Sequence, residues 1–291
     1  MKLAALSVAG ETSLLCVEAD GTWHPVGREG ARFTDVAGLL HGGGASLVDA
    51  IRVAGVEERG LSGARVLAPI RPPEVWAAGV TYERSREARM LESTEMDIYD
   101  RIYDAERPEL FFKATANRVV GPGDPVGLRG DSQWQVPEPE LAAVLGASGE
   151  VVGYTLGNDM SSRDIEGANP LYLPQAKIFA GSCALGPVVV TADEIDDPYD
   201  LPITMRIVRG DSVVYEGETS TQHLHKRLDV LVEYLCRDNW IEPGTVLLTG
   251  TGIVPPDDFT LEIEDAVEIG CPPIGTLRNV CAPASSLAPP S

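Results

Sequence analysis

Beyond residue 66 the chain is a succession of short β-branched runs cut by Gly and Pro, a texture that leaves little room for long helices. Val151 to Leu156, Pro187 to Thr191, Ile203 to Arg209, Val246 to Thr249 and Phe259 to Ile263 all read as strands. Strands this short, at irregular intervals, predict a mixed or mostly antiparallel sheet assembly, a mostly β member of the α+β class. Two stretches are helical exceptions. Tyr82 to Arg107 is rich in Glu and Arg, and Arg227 to Asn239 places Leu228, Leu231, Val232 and Leu235 on one face.

Residues 1–66 read as a small N-terminal domain. Leu3 to Val8 and Ser13 to Val17 have strand character around a turn at Gly10 and Glu11, and Ala45 to Ala54 has helical spacing with Leu47, Ile51 and Val53 apolar. Leu67 to Pro73, with three prolines, reads as a linker into a larger domain spanning 67–281. The last ten residues, 282–291, are low in complexity and are expected to be a disordered tail.

Charge narrows the partners. With 23 Lys and Arg against 44 Asp and Glu, the net charge of -21 repels nucleic acid and anionic membrane surfaces alike. An anionic small molecule would need local positive charge. The five cysteines are scattered with no C-x-x-C pair, which argues against a structural zinc or a disulfide framework and for a reduced, cytoplasmic protein. Glu11 interrupts the apolar start before any cleavage signal, and no run approaches the ~20 apolar residues that span a bilayer.

The chemistry concentrates in one segment. Glu138 and Glu140, at i and i+2 in P-E-P-E-L-A-A-V-L-G, would share one face of a strand, with Ala142 and Val144 continuing that face. A polar loop, Ala147 to Glu150, leads into V-V-G-Y-T-L-G-N-D, which reads as the returning strand and brings Asp159 back toward the glutamates. Three converging carboxylates suit a hard divalent cation such as Mg²⁺, Mn²⁺ or Ca²⁺, although acidic pairs at this spacing are commonly no more than solvated charge. His223 and His225 lack a third zinc ligand at a usable spacing and read as surface residues. H-G-G-G at His41 to Gly44 lacks the context of a phosphate loop and reads as a turn.

E-P-E-L-A-A-V-L-G, G-Y-T-L-G-N-D-M-S-S-R-D-I-E, S-C-A-L-G-P-V-V-V-T-A-D-E and the later L-L-T-G-T-G together resemble the fumarylacetoacetate hydrolase superfamily. The resemblance covers roughly residues 70–280 and implies a mixed β-sandwich roll with a small N-terminal domain, relatives that are homodimers or homotetramers, and Glu138, Glu140 and Asp159 as metal ligands. G-V-T-Y at Gly79, Y-D-A-E-R-P-E-L-F-F-K-A-T at Tyr103 and N-P-L-Y-L-P-Q-A-K at Asn169 are similar to the branch that dehydrates 2-keto-3-deoxy sugar acids. The resemblance further implies Lys177 as the active-site lysine, Glu109 as an acid or base, and Arg163, Thr251, Tyr82, Arg84 and Lys113 as substrate contacts. Arg163 could instead pair with Asp164, and Arg84 and Arg86 with Glu83 and Glu87. Where the hydrolases of the family place a water-activating His, this chain has Ser85. Dehydration of a 2-keto-3-deoxy pentonate to 2,5-dioxopentanoate is therefore the expectation. Acylpyruvate hydrolysis or oxaloacetate decarboxylation on the same metal site, and an inert binding or assembly protein, are the alternatives.

Overall fold

The computed structural model describes residues 1–8, 13–43, 46–86 and 102–288. The turn expected at Gly10 and Glu11 and most of the helix expected over Tyr82 to Arg107 lie outside the described residues, as do residues 289–291 of the expected tail.

Most of the expected strands join one large mixed sheet, while Ile203 to Arg209 falls in a second one. The order of the large sheet runs Thr22–Pro25, Leu14–Ala19, Lys2–Ser7, Cys183–Thr191, Val151–Asp159, Pro139–Leu145, Val246–Leu248, Val75–Gly79 and Glu109–Ala114. The N-terminal strands enter through Lys2–Ser7, which pairs antiparallel with Cys183–Thr191 with Leu3 opposite Val189. Leu67, at the start of the expected linker, ends a short strand, Arg65–Leu67, that also pairs with Lys2–Ser7, and Ile70 is fully buried. A second, five-stranded sheet runs Pro125–Leu128, Gly275–Pro283, Ala266–Cys271, Pro202–Arg209 and Ser212–Ser220. Its Gly275–Pro283 strand reaches into the expected tail, and Ala284–Ser286 adds a 3-10 turn.

Phe259 to Ile263 is not a strand. Pro255 and Pro256 deny two backbone donors just ahead of it, and Phe259 N turns back to Pro256 O at 2.9 Å. Leu261 N goes to Gln135 O and Glu262 N to the Asp265 carboxylate, so the run is satisfied by turns and a side chain. The later helical expectation holds over Leu228–Cys236, with Leu228, Leu231 and Leu235 buried.

The Pro139–Leu145 strand explains why the sheet is two-sided. All seven residues are buried. Leu141, Ala143 and Leu145 join a core with Ile203, Met205, Ile207, Val267 and Ile269 of the second sheet. Ala142 and Val144 face the opposite core, under Val36, Leu39, Leu47 and Ala50 of the helices Val36–His41 and Leu47–Ala54. On that second face the side chains stand in rows. Val144 opposes Val246, which is level with Val75, and Ala142 opposes Leu248, which is level with Ala77. The next position on the Pro139–Leu145 strand is Glu140, so the carboxylates begin where the apolar rows stop.

Leu248 is fully buried in the row directly beneath Glu140. Leu248→Ala is expected to destabilise the fold by about 2–5 kcal/mol through lost burial and the cavity left behind. Urea unfolding with an unchanged m-value is the check.

Candidate metal centre

The hairpin of Pro139–Leu145 and Val151–Asp159 does what its spacing requires. Pro139 opposes Asn158, Glu140 opposes Gly157, and Asp159 N donates to Glu138 O at 2.9 Å, which closes the open end. The Glu138, Glu140 and Asp159 carboxylates each present an oxygen within 4.8 Å of the others, all three side chains buried.

Buried anions at this separation need compensation, and three buried cations supply it. Lys177 Nζ lies 2.7 Å from Glu138 Oε2 and 3.2 Å from Asp159 Oδ2, and donates to Ser161 Oγ at 2.6 Å. Arg163 Nη2 donates to Glu138 Oε1 at 2.8 Å. Lys113 Nζ sits 2.5 Å from Asp159 Oδ1 and donates to Met160 O and Lys177 O. Lys113 reaches inward because of a register shift. Val75 pairs with Ala114 but Trp76 with Phe112, so Lys113 is the extra residue of a bulge, a feature that re-aims a side chain. Arg163 is released to Glu138 because Asp164 is taken elsewhere, accepting from Ser132 Oγ at 2.6 Å and Gln133 N at 2.7 Å.

Glu140 is the strained member. Burial first, and then the Asp159 and Glu138 carboxylates, hold its carboxyl well above the usual range, against the pull of the Gly250 N–H and Lys177. A divalent cation is the group this set fits. The donors are all hard carboxylate oxygens, and a shared positive ion removes the like-charge repulsion that burdens Glu140. Four-residue zinc chemistry has no counterpart here, since His223 and His225 are exposed and His225 stacks on Tyr103 at 4.1 Å.

The other expected site residues divide. Tyr82 is buried beside Glu140; its hydroxyl has no hydrogen-bond partner among the described residues, and burial followed by the Glu140 charge keeps it protonated. Thr251 is buried next to Gly250, but its hydroxyl donates to Ile253 O and accepts from Ile253 N, each at 3.2 Å, closing a turn. Glu109 opens the edge strand Glu109–Ala114 on the same face as Phe111, whose ring lies 5.5 Å from Lys177 Nζ. Arg84 is exposed and its charge acts on Tyr215, while Arg86 stands 3.6 Å from Glu83 and 4.7 Å over the Tyr103 ring. Ser85 is buried with its hydroxyl spent locally: it donates to Tyr82 O at 2.7 Å and accepts from Tyr82 N at 3.2 Å.

Two participants escaped the sequence reading, namely Ser161 beneath Lys177 and the Gly250 N–H on the Glu140 carboxylate. Both lie within segments already singled out, in M-S-S-R and L-L-T-G-T-G. Neither residue type is distinctive enough to stand out.

A proton on Glu140 and a cation compete for the same oxygens. Mg²⁺ binding is therefore expected to release a proton and to weaken as pH falls through the elevated Glu140 range. Calorimetry in buffers of differing ionisation enthalpy checks it, and Glu140→Gln should remove both the proton release and at least tenfold in affinity.

The comparisons with known proteins follow this geometry. The family described as fumarylacetoacetate (FAA) hydrolase C-terminal matches residues 74–282. The chain is 49% identical over 239 residues to 2-dehydro-3-deoxy-D-arabinonate dehydratase of Saccharolobus solfataricus, covering 78% of this chain and 79% of that one. It is 52% identical over 211 residues to a probable 2-keto-3-deoxyxylonate dehydratase of Haloferax volcanii, covering 72% and 73%. Its structure superposes with a TM-score of 0.83 and 39% identity on 2-keto-3-deoxy-D-arabinonate dehydratase complexed with magnesium and 2,5-dioxopentanoate, over 97% of this chain and 99% of that one. A match over most of the chain, and a metal-type carboxylate set where the family's motifs fall, place it: this chain belongs to the fumarylacetoacetate hydrolase family.

Proposed function

We propose that this enzyme is a Mg²⁺-dependent dehydratase that converts a 2-keto-3-deoxy pentonate to 2,5-dioxopentanoate. The observation that carries it is the buried carboxylate set with Lys177 upon it, with Ser85 at the hydrolases' His position and its hydroxyl locked onto Tyr82. Relatives at about half identity bear dehydratase names, and a matching structure holds magnesium and 2,5-dioxopentanoate, which supports the same reading.

Glu138, Glu140 and Asp159 would hold a divalent cation, which would supply Lewis-acid chemistry to the 2-oxo group of the substrate and so acidify the C3 proton. The chain's own residues do the rest. Lys177 keeps a positive charge and N–H donors beside the carboxylates, where charge develops on the 2-oxo oxygen. Glu109 is the acid or base at the rim, serving the C3 proton or the departing C4 hydroxyl, work worth about 10²–10⁴-fold. Tyr82 offers a protonated phenol, and Thr251 shapes the wall beside Gly250. Arg163 and Lys113 act on the ligands Glu138 and Asp159, holding them in place, and Arg84 stands outside the cluster. Loss of water followed by tautomerisation gives the dioxo acid. The position at which the family's hydrolases carry their water-activating His is Ser85 here, and its hydroxyl is already committed to Tyr82. Lys113, Arg163 and Lys177 offset the three carboxylates, so a bound divalent cation would meet the need for local positive charge that an anionic substrate imposes on this acidic protein.

The finer reading is a cytoplasmic homodimer or homotetramer. Among the described residues no helix is long and apolar enough to cross a membrane, and all five thiols are free.

The decisive assay offers the Mg²⁺-loaded protein 2-keto-3-deoxy-arabinonate, an acylpyruvate and oxaloacetate separately. Formation of 2,5-dioxopentanoate, abolished by chelation, is expected. Pyruvate release from the acylpyruvate or oxaloacetate without dehydration would overturn the reading. Lys177→Met should lower turnover about 10²–10⁴-fold. Mg²⁺ affinity should hold or tighten, since a positive charge beside the ligands is removed.

A further inference from the structure

An ammonium has three protons to donate and no lone pair, so three acceptors fix it in space. Lys177 has them. Its Nζ lies 2.7 Å from Glu138 Oε2, 3.2 Å from Asp159 Oδ2 and 2.6 Å from Ser161 Oγ, and all four residues are buried. The three acceptors are not equivalent. Glu138 and Asp159 are carboxylates that a divalent cation would also claim, and a carboxylate drawn to the ion holds the lysine less strongly. The Ser161 hydroxyl is neutral and stands outside the carboxylate set. Of the three, it is the partner whose hold on Lys177 does not compete with the cation.

Ser161 is itself held in place. Its Oγ donates to Asp159 O at 3.1 Å, which leaves the oxygen's lone pairs to accept from Lys177. Its backbone lies in a short ladder, Ser161 opposite Val136 and Ser162 opposite Gln135, and Met160 N just before it donates to Ser182 O at 3.0 Å. The lysine is tied at its other end too, where its carbonyl accepts from Lys113 Nζ. A long, flexible side chain is thereby fixed at both its backbone and its tip. The neighbouring serine supplies the contrast. Ser162 is equally buried and precedes the helix Arg163–Ala168, yet its hydroxyl caps nothing and has no hydrogen-bond partner among the described residues. Of two adjacent buried serines, only Ser161 is bonded to Lys177.

We infer that Ser161 is a positioning residue for the dehydration, its hydroxyl keeping the Lys177 ammonium where negative charge develops on the 2-oxo oxygen when Glu138 and Asp159 are engaged as ligands. This deepens the dehydratase reading and rests on the role given there to Lys177. Ser161 acts through the lysine and not on the substrate. The ammonium counts most as that charge forms, so losing its neutral anchor falls on kcat more than on KM. The hydroxyl is no ligand, so the cation should be held nearly as well without it.

The test measures Ser161→Ala, Ser162→Ala, Lys177→Met and the double variant Ser161→Ala/Lys177→Met in the Mg²⁺-loaded protein. Ser161→Ala is expected to cut kcat for 2-keto-3-deoxy-arabinonate by about tenfold to a hundredfold, the scale of one hydrogen bond to a charged group, with KM changed less than about threefold. Ser162→Ala should stay within about twofold of wild type, since its hydroxyl has no partner to lose among the described residues. The double variant should be no slower than Lys177→Met alone, because Ser161 acts only through the lysine. Mg²⁺ affinity of Ser161→Ala, read by calorimetry, should lie within about threefold of wild type, which separates a loosened lysine from a damaged ligand set. Wild-type kcat in Ser161→Ala, an equal loss in Ser162→Ala, multiplicative losses in the double variant, or a fall in Mg²⁺ affinity parallel to that in kcat would each overturn the inference. Wild-type turnover in Lys177→Met, or a wild-type protein inert toward the sugar acid, would instead defeat the reading on which it rests.

Discussion

Three carboxylates buried within a few ångströms of each other are the constraint on which this structure turns. Left alone they would cost far more than a domain's net stability, so each must meet positive charge or hold a proton. Lys177, Arg163 and Lys113 meet Glu138 and Asp159, while Glu140 takes a backbone N–H and keeps an elevated pKa. Much local irregularity follows from delivering those cations. The bulge at Lys113 turns a side chain inward from an edge strand. The short helix Leu173–Lys177 ends on the lysine it carries. The Asp164 carboxylate holds the loop at Ser132 and Gln133, and so leaves Arg163 to Glu138.

The position of the cluster within the sheet is equally physical. The central strands are buried on both faces, so their side chains are mostly apolar where a core covers them, with Thr155 opposite Ala142 an exception. On the face under the N-terminal helices the carboxylates begin two residues beyond Ala142, at Glu140.

How much of this could be read from residues alone depended on how local the cause was. Strand periodicity placed Glu138 and Glu140 on one face, and the loop between the strands brought Asp159 back, because a hairpin is decided within about twenty residues. The run Phe259 to Ile263 misled for the opposite reason. Its composition is strand-like, but two prolines and the Asp265 carboxylate, with Gln135 far away in sequence, take its backbone bonds. Lys113 was legible as a site residue through resemblance, but not its ion pair with Asp159. A bulge is a register event between two strands, and one strand's sequence does not contain it.

The acidity of the chain has a further consequence for the site. A net charge of -21 spread over the surface opposes the approach of any anion, and screening by salt weakens that field within about 8–10 Å. The buried cluster works on a shorter scale, in a medium where charges are felt strongly. Once Glu140 gives up its proton to serve as a ligand, the side-chain charges cancel, three against three. With a divalent ion added, the site carries an excess of two positive charges. The substrate brings one negative charge on its carboxylate, and a second develops on the 2-oxo oxygen as the C3 proton leaves. As the C3 proton passes to a base of the site, negative charge moves from that base to the 2-oxo oxygen, beside the lysine and the cation position, so the electrostatics favour the deprotonated substrate over the bound ground state, the condition for catalysis and not merely for binding.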